Sequence, residues 1–285
     1  MSAAALSVRG VNKSYGKGKV LNDITFDAKE GEVFGIIGPN GAGKTTLIKI
    51  LCGIEAADKG SVDIMGAPVF ETSSKTNIGY LPETSSLYED MSVNDYLLFF
   101  SEIYGIKKET ALERITSLLK DVDIYDKRND YINSLSNGMK RKVAIIRALI
   151  HQPKILIFDE PTANLDIMTS GFIRKFMGKL AVEGKTVIFA THNPYEAESL
   201  CDRIAIIKSG TLIRLGNLRD IIKRKTIIEY DSDGVKNKIE VVSRDIENLG
   251  STLVSIKGKI LDITESDLSE EFERAMDIKD GTGSN

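Results

Sequence analysis

The sequence predicts an α/β fold with a mostly parallel sheet, and three observations carry that prediction. Apolar runs without alternation stand at Val33-Phe34-Gly35-Ile36-Ile37, Ile155-Leu156-Ile157-Phe158 and Thr186-Val187-Ile188-Phe189-Ala190, as in strands buried on both faces. Segments of helical periodicity separate them. A glycine-rich loop follows the first run directly and precedes an apolar-faced helix.

That loop, Gly38-Pro39-Asn40-Gly41-Ala42-Gly43-Lys44-Thr45, fits the phosphate-loop pattern in full, and Thr46 follows it into the helix. Its glycines let backbone N–H groups turn inward on phosphates, and the helix N-terminus adds a positive dipole end. Lys44 then serves as a point charge on the β and γ phosphates, and the Thr45 hydroxyl as a holder of Mg²⁺. Taken alone, the loop implies nucleotide binding and nothing further.

From residue 84 to 150 the texture is helical: Tyr96, Leu97, Phe100 and Ile103 recur three or four apart, followed by Leu112, Ile115, Leu118 and Leu119. This reads as a helical subdomain inserted between two sheet-forming halves. The second apolar run ends in Asp159-Glu160 at the carboxyl edge of its strand, where ligands sit in open α/β sheets. Neighbouring strand residues point to opposite faces, so the two acids have separate tasks. Asp159 suits Mg²⁺, and Glu160 suits orienting and deprotonating an attacking water.

After residue 216 the chain turns charged, with strand-like pieces at 225–230, 239–242 and 252–256 and a helix-like stretch at 268–276. The expected division is 1–216 as the main domain and 217–285 as a small α+β accessory module, with the tail 280–285 disordered.

Composition excludes several classes. Hydrophobic residues make up 42% and charged residues 28% of 285 residues, ordinary for a globular chain. Lys and Arg total 38 against 41 for Asp and Glu, so no global positive field draws in nucleic acid. The runs Lys140-Arg141-Lys142 and Lys223-Arg224-Lys225 read as solvated faces, and His151 reads as a solvated loop residue. Cys52 and Cys201 have no metal-ligand spacing and read as buried thiols in a reducing compartment. The start lacks a basic region followed by an apolar stretch, and no run of about eighteen apolar residues occurs. A cytoplasmic chain that does not cross a membrane is expected.

With these motifs in this order, the chain resembles the nucleotide-binding subunit of an ATP-binding cassette (ABC) transporter over about residues 6–216. The family's signature loop is similar to Leu135-Ser136-Asn137-Gly138-Met139, at the head of a helix with Val143, Ile146, Leu149 and Ile150 on its apolar side. In physical terms this is a second helix N-terminus, either a second anion site or an ordinary capped helix. The resemblance implies a P-loop NTPase core with antiparallel N-terminal β elements, and ATP and Mg²⁺ as cofactors. It also implies a head-to-tail dimer of cassettes, homomeric or heteromeric, in which Ser136 and Gly138 of one subunit close on ATP held by the other.

Further positions are assigned by the same resemblance. Tyr15 is placed to stack on adenine, or else is a packing tyrosine. Asp166 in Asn164-Leu165-Asp166 crosses the dimer interface, or else caps the next helix. His192 matches the switch histidine at the γ-phosphate, against the alternative of a structural histidine. Glu83 stands where most of the family has a glutamine that contacts Mg²⁺ and the attacking water; as an oxygen ligand it keeps the metal contact, while its extra negative charge near the γ-phosphate either weakens ATP affinity or raises the Mg²⁺ demand. Asn137 and Met139, where Gly and Gln are commoner, resemble the export-type branch. A membrane-spanning transporter subunit is the implied partner, docking near 84–100 and, within that, near 85–91, with the chain peripheral at the inner face of the membrane.

The alternatives are a soluble ABC ATPase of translation or DNA maintenance, and a P-loop kinase or GTPase. The first brings paired cassettes or a long coiled coil and a GTPase a guanine-reading loop, none of which the sequence shows, and a kinase gives no reason for the segment Leu135–Met139.

Overall fold

The computed structural model describes residues 4–221, 225–232, 234–242, 246–265 and 268–277; the tail 280–285 lies outside them. The chain begins with two long antiparallel strands, β1 (Ala4–Tyr15) and β2 (Gly18–Lys29). The short strand β3 (Val33–Ile37), buried at all five positions, delivers the phosphate loop to helix α1 (Lys44–Leu51). Next come β4 (Lys59–Ile64), β5 (Ala67–Pro68), α2 (Thr72–Thr76) and β6 (Ile78–Leu81). Between β6 and the next strand the chain is helical: α3 (Val93–Ile103), α4 (Lys108–Asp121), two 3₁₀ turns, then α5 (Asn137–Leu149).

The sheet resumes with β7 (Ile155–Asp159), α6 (Ile167–Val182), β8 (Thr186–Thr191), α7 (Pro194–Leu200), β9 (Arg203–Lys208) and β10 (Thr211–Asn217). The remainder is α8 (Leu218–Ile221), β11 (Lys225–Ser232), β12 (Val235–Val242), α9 (Ile246–Ser255), β13 (Lys259–Glu265) and α10 (Leu268–Asp277).

Three sheets result, ordered β2-β1-β4-β5, β10-β9-β3-β8-β7-β6 and β12-β11-β13. In the central sheet every pair is parallel except β10 with β9. Strand alternation sorts its side chains between two cores. Ile155 and Ile157 of β7 face α1 and the antiparallel sheet, whereas Leu156 and Phe158 face the helical side. Register then fixes the site. Ile37 pairs with Thr191, Asp159 with Ala190 and Leu81 with Phe158, so four strands end level and their loops open at one carboxyl edge.

Several expectations are corrected. Residues 252–256 are not a strand; they close α9 and the turn after it, and the third strand of the small sheet is β13. β-branched Thr252 and Val254 suggest a strand, yet Ile246, Leu249 and Leu253 recur at helical spacing. Ile103 and Leu112 stand outside their helices' buried stripes, which use Val93, Tyr96 and Leu97 on α3 and Ala111, Ile115 and Leu119 on α4. His151 is not solvated: its Nε2–H donates to the Ile78 carbonyl at 2.9 Å and its ring stacks on Tyr104. Burial lowers its pKa, so the ring stays neutral. Cys52 and Cys201 are free and buried, and desolvation pushes both thiols well up.

Helix α10 returns to the main body. Leu268 is fully buried in the larger core, with Phe272 and Met276 packed beside it. Its N–H donates to Glu198 Oε2 at 3.1 Å, and Lys208 Nζ donates to the Met276 carbonyl at 2.8 Å.

Candidate nucleotide site

The phosphate loop is shaped by steric exclusion. A Cβ on Gly38 would lie 2.4 Å from the Ile207 carbonyl oxygen, so only glycine lets β3 turn there. Gly43 holds φ +98° with a Cβ position 2.8 Å from Leu21 Cδ2, a conformation and a space closed to other residues. Gly43 also gives α1 no side-chain cap, which leaves the first-turn N–H groups facing outward as donors for an anion. Lys44 folds back over the loop, its Nζ donating to the carbonyls of Gly38 at 2.9 Å and Pro39 at 3.2 Å.

Opposite stand the acids of β7. Asp159 is almost wholly buried, and neither carboxylate oxygen accepts a well-formed hydrogen bond. Burial raises its pKa, while the adjacent Thr45 hydroxyl pulls the other way. Glu160 adopts φ +44°, a left-handed kink uncommon outside glycine, and its N–H donates to the Ala190 carbonyl at 3.0 Å. The kink aims its carboxylate between two bases: Oε1 is 3.4 Å from Lys44 Nζ, and Oε2 is 3.0 Å from His192 Nδ1.

A cleft of about 740 Å³ joins these groups, a size suited to a nucleotide. Lys44, Thr45, Thr46, Glu83, Glu160 and His192 line it together with Asn40, Gly41 and Gly43, while Asp159 lies beneath. Gly38, Pro39 and Ala42 shape the loop's backbone from below, Ala42 being buried.

Among the described residues, Tyr15, Ser136, Gly138 and Asp166 do not line this cleft. Tyr15 is half exposed just beyond it, near Thr46, with its hydroxyl donating to Glu55 Oε2 at 2.6 Å. Ser136 Oγ caps α5 by accepting from the Met139 N–H at 3.3 Å. Asp166 caps α6, accepting from the N–H of Thr169 at 2.9 Å and from its hydroxyl at 2.7 Å, and these bonds lower its pKa. A Cβ on Gly138 would lie 2.9 Å from that same Thr169 hydroxyl, so the two helix heads adjoin.

Sequence reasoning missed Thr162, Thr191 and Glu196. Glu196 of α7 is buried and accepts hydrogen bonds from the hydroxyls of Thr162 and Thr191. It thereby ties the loop after Glu160 to the strand before His192. Its position four residues beyond His192, on a helix opened by Pro194, is the available signal. The basic run 140–142 is not a solvated face throughout, since Arg141 is only 8% exposed.

A protein-family model described as "ABC transporter" matches residues 21–163. The chain is 39% identical over 236 residues to an uncharacterized ABC transporter ATP-binding protein of Methanocaldococcus jannaschii, covering 83% of this chain and 86% of that one. It is 34% identical over 261 residues to the Nod factor export ATP-binding protein I of Burkholderia orbicola, covering 89% and 86%. Among solved structures it resembles CbiO1 from Clostridium perfringens, part of the ABC transporter complex CbiONQ. That match has a TM-score of 0.70 and 30% identity, covering 76% of this chain and 90% of that one.

Proposed function

The chain belongs to the ABC transporter family, as an ATP-binding subunit whose ATPase activity is coupled to transport by a membrane partner, and on that premise we propose how its residues divide the work. The loop N–H groups of residues 38–45 and the Lys44 ammonium bind the β and γ phosphates, and Thr46 carries the contact into the helix. Tyr15, an exposed ring beside Thr46, receives the adenine.

Mg²⁺ fits the donor set. Asp159 has buried carboxylate oxygens without a good donor, beside the Thr45 hydroxyl and near Glu83, and hard oxygen ligands suit this ion. When bound, the ion neutralises charge on the phosphate oxygens. Glu160 Oε takes the proton of the attacking water. His192 Nδ1 holds the other Glu160 oxygen in place and turns its ring toward the γ-phosphate.

The cis cleft lacks Ser136, Gly138 and Asp166 among its described lining residues, which supports a head-to-tail dimer in which a second chain supplies them. Two copies of this chain suffice, and a different cassette carrying the same motifs fits the same geometry. The exposed aromatic group of Tyr88 and Phe99, with Tyr88 packed on Tyr96 and Phe100, supports docking of the membrane subunit near 84–100. No helix among the described residues is long and apolar enough to cross a membrane. We assign the chain to the inner membrane face through its partner, with residues 1–216 as the cassette, 84–150 as its helical subdomain and 217–285 as the accessory module. Export is the direction favoured by the likeness to the Nod factor export protein.

The observation that carries this reading is Glu160, held in a left-handed kink between Lys44 and His192 at the edge of the phosphate loop. Replacing Glu160 by Gln removes the base and keeps the size and shape of the side chain. The variant should bind Mg-ATP, lose turnover by at least about 100-fold, and elute as a dimer on gel filtration with Mg-ATP. A variant that hydrolyses ATP normally refutes the assignment.

A further inference from the structure

Arg141 lies on α5, five residues beyond Ser136, in a run whose composition suggests solvent. Its guanidinium is instead buried and has five N–H donors, all of them used on backbone carbonyls. Nε donates to Pro161 at 2.9 Å, one terminal nitrogen to Pro82 at 2.7 Å and Glu83 at 2.9 Å, and the other to Asp159 at 3.2 Å and Glu160 at 2.8 Å. Desolvation lowers its pKa to about 10, with the charges of Asp159 and Glu83 opposing that shift. A buried cation without a direct carboxylate bond is costly unless every donor is satisfied, and here every donor is.

Three of the five carbonyls are consecutive, from Asp159 to Pro161, and they bracket the residue held at φ +44°. A non-glycine residue persists there only when its surroundings over-determine it. The other two carbonyls belong to the loop that presents Glu83 to the cleft.

We propose that Arg141 is a positioning residue for hydrolysis, pinning the Glu160 kink and fixing it against the Glu83 loop. It touches neither nucleotide nor water and acts through the backbone of the residues that do. Because the same helix begins at Ser136, the bolt also joins the head of α5 to its own subunit's hydrolysis loop. This rests on reading Glu160 as the base.

The test uses Arg141→Lys and Arg141→Gln in the full chain. Lysine keeps the charge but has three donors on one atom, so it cannot span five carbonyls. Both variants should lose about tenfold to a hundredfold in kcat, as expected for a misplaced catalytic group, with ATP affinity within about twofold of wild type. Placed on Glu160→Gln, either should leave the residual rate unchanged, because groups acting as a unit are not additive. Full kcat in the lysine variant, or losses that multiply with Glu160→Gln, or affinity falling in step with kcat, would overturn the proposal. Should both variants fail to fold, ¹⁵N-arginine NMR of the wild-type protein decides: a protected Arg141 Nε–H supports the bolt, and exchange as fast as free arginine sinks it. Normal turnover in Glu160→Gln alone would instead remove the reading of the base.

Discussion

Around residues 38–45 and 159–160 the functional side chains are held by their own chain, whereas Ser136 and Asp166 hydrogen-bond to their own helix ends and lie outside the cleft. Lys44 and Glu160 are buried and interlocked. Asp166 by contrast is exposed, and its carboxylate is satisfied by Thr169. On the proposed head-to-tail dimer, the contrast separates what one subunit preorganises from what it offers to another. The first set needs rigidity to aim charges at phosphates; the second needs a free surface and a stable cap.

Breaking the first set should have the largest effect. Lys44→Ala removes the cation over the loop, and calorimetric titration should detect no ATP binding while hydrolysis falls by at least about 100-fold. Retained binding would mean that the loop amides suffice. Breaking the second set should spare binding. Gly138→Asp puts a carboxylate at the head of α5, where a single subunit's cleft does not reach, so ATP affinity should stay within about twofold while hydrolysis is lost. A matching loss of affinity would place Gly138 in cis.

The smallest effect lies outside both sets. His151 is half-buried with a lowered pKa, so the unfolded chain gains its proton first as pH falls. Its contribution is intact above the ordinary histidine value of about 6.5 and is lost as pH falls from there through the lower folded-state pKa. His151→Phe keeps the stack on Tyr104 and gives up the bond to Ile78, costing about 1 kcal/mol at neutral pH. Its melting temperature should then fall less between pH 7 and pH 5 than that of wild type.

How much of this was legible follows from the range of each interaction. Lys44, Thr45, Glu160 and His192 meet because strands of a parallel sheet end level, and each residue lies in the loop or helix start just beyond a recognisable buried run. The central strands were readable for the same reason, being unbroken apolar segments. Residues 252–256 were not, because β-branched residues outweighed helical spacing in so short a stretch. Arg141 and Glu196 were hidden for a different reason. Their partners are carbonyls and hydroxyls 5 to 59 residues away, and no local pattern distinguishes a buried arginine from a solvated one. The helix head at Ser136 remained ambiguous in kind, since the hydrogen bonds of a cap and of an anion site involve the same atoms.

The division of the site between two chains is tested most directly by mixing two inactive variants, Lys44→Ala and Gly138→Asp. In a mixed dimer one site carries both defects and the other carries neither, its loop coming from the Gly138→Asp chain and its helix head from the Lys44→Ala chain. Hydrolysis should therefore reappear on mixing, at a fraction of the wild-type rate. A mixture as inactive as its components, with mixed dimers demonstrated by cross-linking, would contradict a shared site.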